Sequence, residues 1–284
     1  MQEIGFYNGR IGPLNEMEIP MQDRALFFGD GVYDFAIAYN KKIFTPEDHI
    51  DRFYNSMRLL EIEPYCDRET LKKYLQECVD MADTDDGVAV YWQTSRGNCR
   101  RNHVFPDASV PSTLLITVTA FKTPDFTKPL KLITMEDTRF FHCNIKTLNL
   151  IPNVMAAERA KEAGCTEAVL HRGDSVTECA HSAVLLLKNG TLIAPPLDEL
   201  ILPSVTRKHI IEICEDMDIP VDIRRISLEE VFDADEVIVV STSKLMCEAD
   251  TVDGRPVGMK DRELFEKIRQ TYFDRLYKET GYRI

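Results

Sequence analysis

The chain has 284 residues, 44% apolar and 29% charged, with a formal net charge of −13. That length supports one large domain or two moderate ones, each with its own core, and the composition is that of an ordinary globular protein. The acidic balance argues against a general binder of nucleic acid or anionic membranes, no apolar run reaches membrane-span length, and no basic-then-apolar leader opens the chain; a cytoplasmic enzyme is the default expectation.

Residues 1–45 alternate short apolar runs with turn signals at Asn8-Gly9, Gly12-Pro13 and Asn40. This pattern predicts strands and hairpins. Within it, Gly29-Asp30-Gly31 allows a sharp bend, and the apolar run that follows carries one phenol, Tyr33. Thr45-Pro46-Glu47-Asp48 opens a helix: a hydroxyl cap, a proline in the first turn, then acids that suit the helix dipole. Ile50, Phe53, Met57 and Leu60 form its apolar stripe, with Arg52 one residue off it. A second helix follows Asp67, with Leu71, Tyr74, Leu75, Cys78 and Met81 on one face, and Asp83–Gly87 ends it.

Val88–Ser95 reads as a strand. The next stretch, Arg96-Gly97-Asn98-Cys99-Arg100-Arg101-Asn102-His103, concentrates basic residues in an acidic chain. On a loop, Arg101 and His103 can point the same way and hold one carboxylate, the guanidinium as a fork and the imidazole as a second donor. A solvated basic loop is the competing reading. Thr113–Thr119 is a strand, and the polar, proline-bearing stretch 121–128 is expected to link a domain at 1–120 to one at 129–284.

Beyond it, Leu130–Thr134 starts a new strand set, and Lys146 is the only side chain between Arg139 and Glu158 that is certain to be charged in water. Apolar neighbours on both sides would strip its hydration and favour the free amine that Schiff-base chemistry needs. A surface lysine with its stem along apolar neighbours is the alternative. A helix is predicted from about Pro152 to Ala163, stopped by Gly164. Strands follow at Glu167–Leu170 and Ala183–Leu187, with Asn189-Gly190 as a hairpin turn. Glu178 lies between them with no basic neighbour in sequence, which reads as a solvated loop acid. Ser204 caps a helix with Ile210, Ile213 and Cys214 inward, and amides at such a start can bind phosphate, with Thr206 adding a hydroxyl. Val237–Val240 is a buried strand ending at Ser241-Thr242-Ser243. A last helix spans Asp261–Lys278. The eight cysteines include no C-x-x-C pair and read as reduced, mostly buried small hydrophobes; no metal site is expected.

Together these stretches resemble the fold type IV pyridoxal-phosphate enzymes, the class-IV aminotransferases, and among them the D-amino acid aminotransferases. The resemblance rests on GDGVYD around Tyr33, HIDR ending at Arg52, RGNCRRNHVFP with Arg101 and His103, NIKTLNL around Lys146, VTECAHS with Glu178, VTR at 205–207 and ST at 241–242. It implies an α/β (α+β) fold of two domains, a small N-terminal α/β domain and a larger C-terminal mixed one, with pyridoxal 5′-phosphate at their interface. It further implies that Lys146 is the Schiff-base lysine and proton carrier, that Glu178 faces the pyridine nitrogen, and that Arg52 pairs with the phosphate. Val205, Thr206, Ser241 and Thr242 would complete the phosphate site. Tyr33, Arg101 and His103 would trap the substrate carboxylate, the latter two reaching in from the partner of a homodimer. The reaction implied moves an amino group between a D-amino acid, such as D-alanine, and a 2-oxo acid, such as 2-oxoglutarate. A branched-chain L-amino acid aminotransferase and an aminodeoxychorismate lyase are the alternatives on the same fold. Asp34 stands where the family usually has glutamate, Cys179 where it has glycine, Ala183 where it has asparagine, and Pro203-Ser204 replaces a glycine-containing turn. Ile151 stands where branched-chain enzymes tend to carry tyrosine.

Overall fold

A computed structural model describes residues 2–84 and 87–284, so Asp85 and Asp86, in the expected end of the second helix, lie outside the described residues. The chain divides into two compact units. The first comprises Met1–Thr123, Ile145–Asn149 and Leu276–Ile284, and the second Pro124–Asn144 and Leu150–Arg275. The chain is mixed α/β, and the short return of residues 145–149 to the first unit is what places Lys146 there.

In the first unit the described strands are β1 (Ile4–Tyr7), β2 (Arg10–Pro13), β3 (Gly31–Tyr39), β4 (Lys42–Ile43), β5 (Val88–Ser95) and β6 (Thr113–Ala120). They form one sheet in the order β2-β1-β6-β5-β3-β4. Helices α1 (Arg24–Phe28), α2 (Pro46–Leu59) and α3 (Arg68–Met81) accompany them. Ile50, Phe53 and Met57 of α2 and Leu71, Leu75 and Cys78 of α3 meet Val32, Ala36, Val90, Trp92 and Ile116 of the sheet in one core. Strand side chains alternate between faces, so Val32, Asp34, Ala36 and Ala38 share the face turned to that core. An acid on the core face needs partners, and α2 packs against β3 to provide them.

Three expectations change here. Thr45 makes no side-chain cap: its backbone is left-handed (φ 48°), and its amide instead donates to Glu279 Oε2 at 3.1 Å. Met81 is exposed and Leu60 only half-buried, because each helix ends as its stripe leaves the core. The stretch before Gly29 is a five-residue helix capped by Asp23, whose carboxylate accepts from the Ala25 amide at 2.9 Å, rather than part of a hairpin.

The second unit holds β7 (Leu130–Glu136), β8 (Glu167–Arg172), β9 (Ser175–Cys179), β10 (Ala183–Lys188), β11 (Thr191–Ala194), β12 (Val221–Ile223), β13 (Ile226–Ser227), β14 (Glu236–Ser241), β15 (Leu245–Val252) and β16 (Arg255–Pro256). Its sheet runs β12-β11-β10-β14-β15-β7-β8-β9-β13, with β16 added beside β15. The β15–β7 and β7–β8 pairs are parallel, and β10–β14–β15 antiparallel. Helices α4 (Ile151–Glu162), α5 (Val205–Asp216), α6 (Leu228–Asp233) and α7 (Arg262–Thr280) belong to this part of the chain, the last ending in the first unit. Gly164 follows α4 at φ 70°, as the sequence implied. The cysteines are free, and five of the eight are buried.

Candidate active site

Lys146 is held on the edge of β3, next to an isolated bridge at Thr147. The Tyr33 amide donates to the Lys146 carbonyl at 2.9 Å, the Leu148 amide to the Gly31 carbonyl at 3.1 Å, and Val32 bridges Thr147. The Lys146 amide donates to Ser56 Oγ of α2 at 3.2 Å. Gly31 permits this approach: a Cβ there would meet the Thr94 carbonyl and lie 2.8 Å from Leu148 Cδ1. Ile145 and Thr147 are buried, while Lys146 is only half-buried. The apolar pressure expected on the lysine therefore falls on its neighbours. Its Nζ lies over the Tyr33 ring, 4.3 Å from the centroid, where the ring face attracts a cation. Tyr33 in turn stacks on Tyr91, with centroids 5.5 Å apart.

Behind Tyr33, on the opposite face of β3, Asp34 is fully buried. Arg52 grips it with two bonds, Nε to Oδ2 at 2.9 Å and Nη2 to Oδ1 at 2.7 Å. His49 Nδ1 lies 2.9 Å from Oδ1, and the Phe35 amide donates to the same oxygen at 2.7 Å. Burial pushes the Asp34 carboxyl up, but Arg52 and His49 outweigh it and hold the group well below the usual carboxylate range. Burial lowers the His49 imidazole, Asp34 opposes this, and Arg52 and Lys146 add to it. The sequence marked Arg52 and the Asp34 departure separately; the structure joins them.

Arg101 and His103 lie on the exposed loop after β5, and both touch the Phe28 ring, the guanidinium at 4.9 Å from its centroid and the imidazole at 5.2 Å. The loop is fixed from beneath by buried Arg24, whose Nη1 donates to the Asn102 carbonyl at 2.7 Å and the Val104 carbonyl at 3.3 Å. Asp30 holds Arg24 at 2.7 Å and Arg96 at 3.0 Å. Arg24 and Asp30 were missed as supports because their contacts to this loop are remote in sequence.

In the second unit Glu178 is the last-but-one residue of β9 and is buried, not a solvated loop acid. Arg139 explains this: it pairs with Glu178 across 39 residues. Its Nε and Nη2 hold Asp137 at 2.9 and 2.8 Å, and Nη2 also donates to the Leu200 carbonyl at 3.0 Å. Burial would lower the Arg139 pKa, and Asp137 and Glu178 together raise it. Glu178 thus sits beside a fixed cation. Val205 and Thr206 are the first two residues of α5, both buried, and Ser204 Oγ accepts from the Arg207 amide at 3.2 Å as the expected cap. Ser241 ends β14, and its Oγ accepts from the Lys244 amide at 3.0 Å in the turn that carries Thr242.

As chemical groups these residues suit a phosphorylated pyridine aldehyde. A lysine amine can bind the aldehyde, and a carboxylate suits a pyridinium. An arginine, a helix start and hydroxyls suit a phosphate.

The family model for class IV amino-transferases matches residues 31–250. The D-alanine aminotransferase of Staphylococcus haemolyticus is 36% identical over 255 residues, 89% of this chain and 90% of that protein. That of Listeria innocua is 37% identical over 271 residues, 94% and 93% of the two chains. Among solved structures, the branched-chain amino acid aminotransferase of Escherichia coli superposes with a TM-score of 0.89 at 18% identity, covering 100% of this chain and 96% of its own. The branched-chain aminotransferase of the archaeon Thermoproteus uzoniensis, solved with norvaline, does so with a TM-score of 0.87 at 22% identity, covering 99% and 97%. These last two likenesses bear on the fold. The chain belongs to the class IV aminotransferases.

Proposed function

We propose that this aminotransferase takes its amino group from a D-amino acid such as D-alanine, passes it to a 2-oxo acid such as 2-oxoglutarate, and uses pyridoxal 5′-phosphate to do so. The observation that carries the reading is the loop of Arg101 and His103, two donors on one ring and braced by Arg24, in a chain whose D-alanine aminotransferase relatives match it over about nine-tenths of its length. The cofactor, when bound, supplies an electron-accepting ring that eases loss of the substrate's α-proton.

The chain's own residues do the rest. Lys146 would attach the cofactor and move the proton at the α-carbon, from a segment held by β3 and by Ser56 of α2. Glu178, paired with Arg139, would face the ring nitrogen. Arg52 binds phosphate with an orientation fixed by Asp34, and Val205, Thr206, Ser241 and Thr242 add neutral donors. Tyr33, Arg101 and His103 orient the substrate carboxylate, the last two in the neighbouring copy of a cytoplasmic homodimer.

The test is a coupled assay with 2-oxoglutarate. Pyruvate should form from D-alanine, and Arg101→Ala should raise the D-alanine KM by about tenfold or more with cofactor colour intact. Activity confined to L-leucine would reverse the reading in favour of a branched-chain enzyme, the activity named for the structurally similar proteins.

A further inference from the structure

Helix α5 carries in its first turn, Val205-Thr206-Arg207, a buried charge that no carboxylate meets among the described residues. Arg207 is 6% exposed. Each of the other buried arginines among the described residues faces an acid: Arg24 and Arg96 share Asp30, Arg139 holds Asp137 and Glu178, and Arg269 holds Glu266. The Arg207 guanidinium instead donates from Nη2 to the Pro195 carbonyl at 2.7 Å, and its buried Nε has no hydrogen-bond partner. Burial lowers the Arg207 pKa with no acid to oppose it, whereas acids reverse the same effect at Arg139. A buried cation without a counter-charge is unfavourable. Its position adds to this, because the start of a helix is already the positive end of the helix dipole.

The surroundings of Arg207 point to the missing anion. Ser204 satisfies two amides of the helix start, its Oγ accepting from Arg207 at 3.2 Å and its carbonyl from Lys208 at 3.1 Å. The Val205 and Thr206 amides have no partner among the described residues, as is usual for the first N–H groups of a helix. Helix side chains lean toward the N-terminus, so the guanidinium is carried back toward those amides, and Pro195 fixes it there. Strands β11, β10 and β14 are antiparallel neighbours, so Pro195 after β11 and Ser241-Thr242 after β14 leave the sheet at the same end. Amides, hydroxyls and an unbalanced guanidinium therefore share one end of the second unit's sheet. A phosphate monoester carries more than one negative charge at neutral pH, and that set matches it in donors and in charge.

We propose that Arg207 is the counter-charge of a phosphate dianion seated at the start of α5, acting through its field rather than by contact, and that it sets the preference for a phosphorylated cofactor over the dephosphorylated form. The inference rests on the cofactor reading above and concerns a residue given no role there. The test uses the full-length apoprotein and two variants: Arg207→Gln removes the charge and keeps a donor for Pro195, and Arg207→Lys keeps the charge. Dissociation constants are read from absorbance titrations with pyridoxal 5′-phosphate and, separately, with pyridoxal. Arg207→Gln should weaken pyridoxal 5′-phosphate by about tenfold or more and pyridoxal by less than about twofold, and Arg207→Lys should recover most of the loss. No change, an equal weakening of both ligands, or a loss in Arg207→Lys as large as in Arg207→Gln would overturn the proposal and leave Arg207 as a brace for Pro195. A second measurement does not depend on the variants folding. Inorganic phosphate should raise the unfolding midpoint of the unsubstituted apoprotein above its value in chloride of equal ionic strength; no rise would equally overturn the proposal. If the unsubstituted protein bound no pyridoxal 5′-phosphate, the cofactor reading would fail, and inorganic phosphate compared between that protein and Arg207→Gln would still decide whether the start of α5 holds a phosphate.

Discussion

Asp34 with His49 and Arg52 in the first unit, and Glu167 with His181 and Lys244 in the second, each set a carboxylate against an imidazole and a cationic side chain. Each centres on a fully buried carboxylate. They differ in what surrounds the bases: the His49 and Arg52 side chains are 1% and 8% exposed, those of His181 and Lys244 50% and 15%. Asp34 grips a rigid guanidinium by two bonds, which fixes a direction as well as a charge. Glu167 holds a flexible ammonium by one. The sealed trio holds Arg52 in one orientation, whereas two members of the other reach solvent.

That contrast breaks most directly at the carboxylates. Asp34→Asn leaves the Arg52 guanidinium buried without its counter-charge and should cost about 3–5 kcal/mol in denaturant unfolding; a loss no larger than that at a surface acid would remove the brace from the argument. Glu167→Gln should cost less, about 1–3 kcal/mol, because Lys244 and His181 can turn to water. Glu167 also sets a pH window. Its folded pKa is depressed, so its stabilisation is complete above the unfolded value near 4.3 and is lost as pH falls toward about 2; the acid limb of the unfolding curve should flatten in Glu167→Gln.

The smallest effect sharpens the comparison at the imidazoles. The folded pKa of His49 is also depressed. Below the unfolded value of about 6.5, the unfolded chain takes up a proton that the folded one resists, so stability falls as pH drops through that region. Unfolding midpoints between about pH 8 and 5 should lose part of this slope in His49→Gln. An unaltered slope would mean that the sealed imidazole titrates as freely as an exposed one.

Much of the fold was legible because its signals are local. The bounds of β5 follow from its apolar run, and the Gly164 and Asn189-Gly190 stops from residues that tolerate positive φ. The Ser204 cap was readable from one hydroxyl before an amphipathic run. A capping box at Ser227 and Glu230, which opens α6, was equally local and went unread. Thr45 failed as a cap because its backbone is left-handed (φ 48°) where a cap is extended, which its residue type does not announce. Glu178 looked solvated because nothing adjacent announces Arg139. Among the candidate residues, the motif around Lys146 could be located, but its lodging against β3 could not, since strand pairing at such separation leaves no periodic trace. The Asp34–Arg52 grip had one available clue, an acid on the core face of a strand facing a helix with an off-stripe arginine.

The most direct test of the central claim is chemical. Borohydride reduction of the purified yellow protein, followed by digestion and mass mapping, should leave the reduced pyridoxyl group on Lys146, and Lys146→Ala should give neither colour nor label. A label on another lysine, such as Lys244, or full labelling of Lys146→Ala, would contradict the assignment of the reacting amine to the segment held by β3.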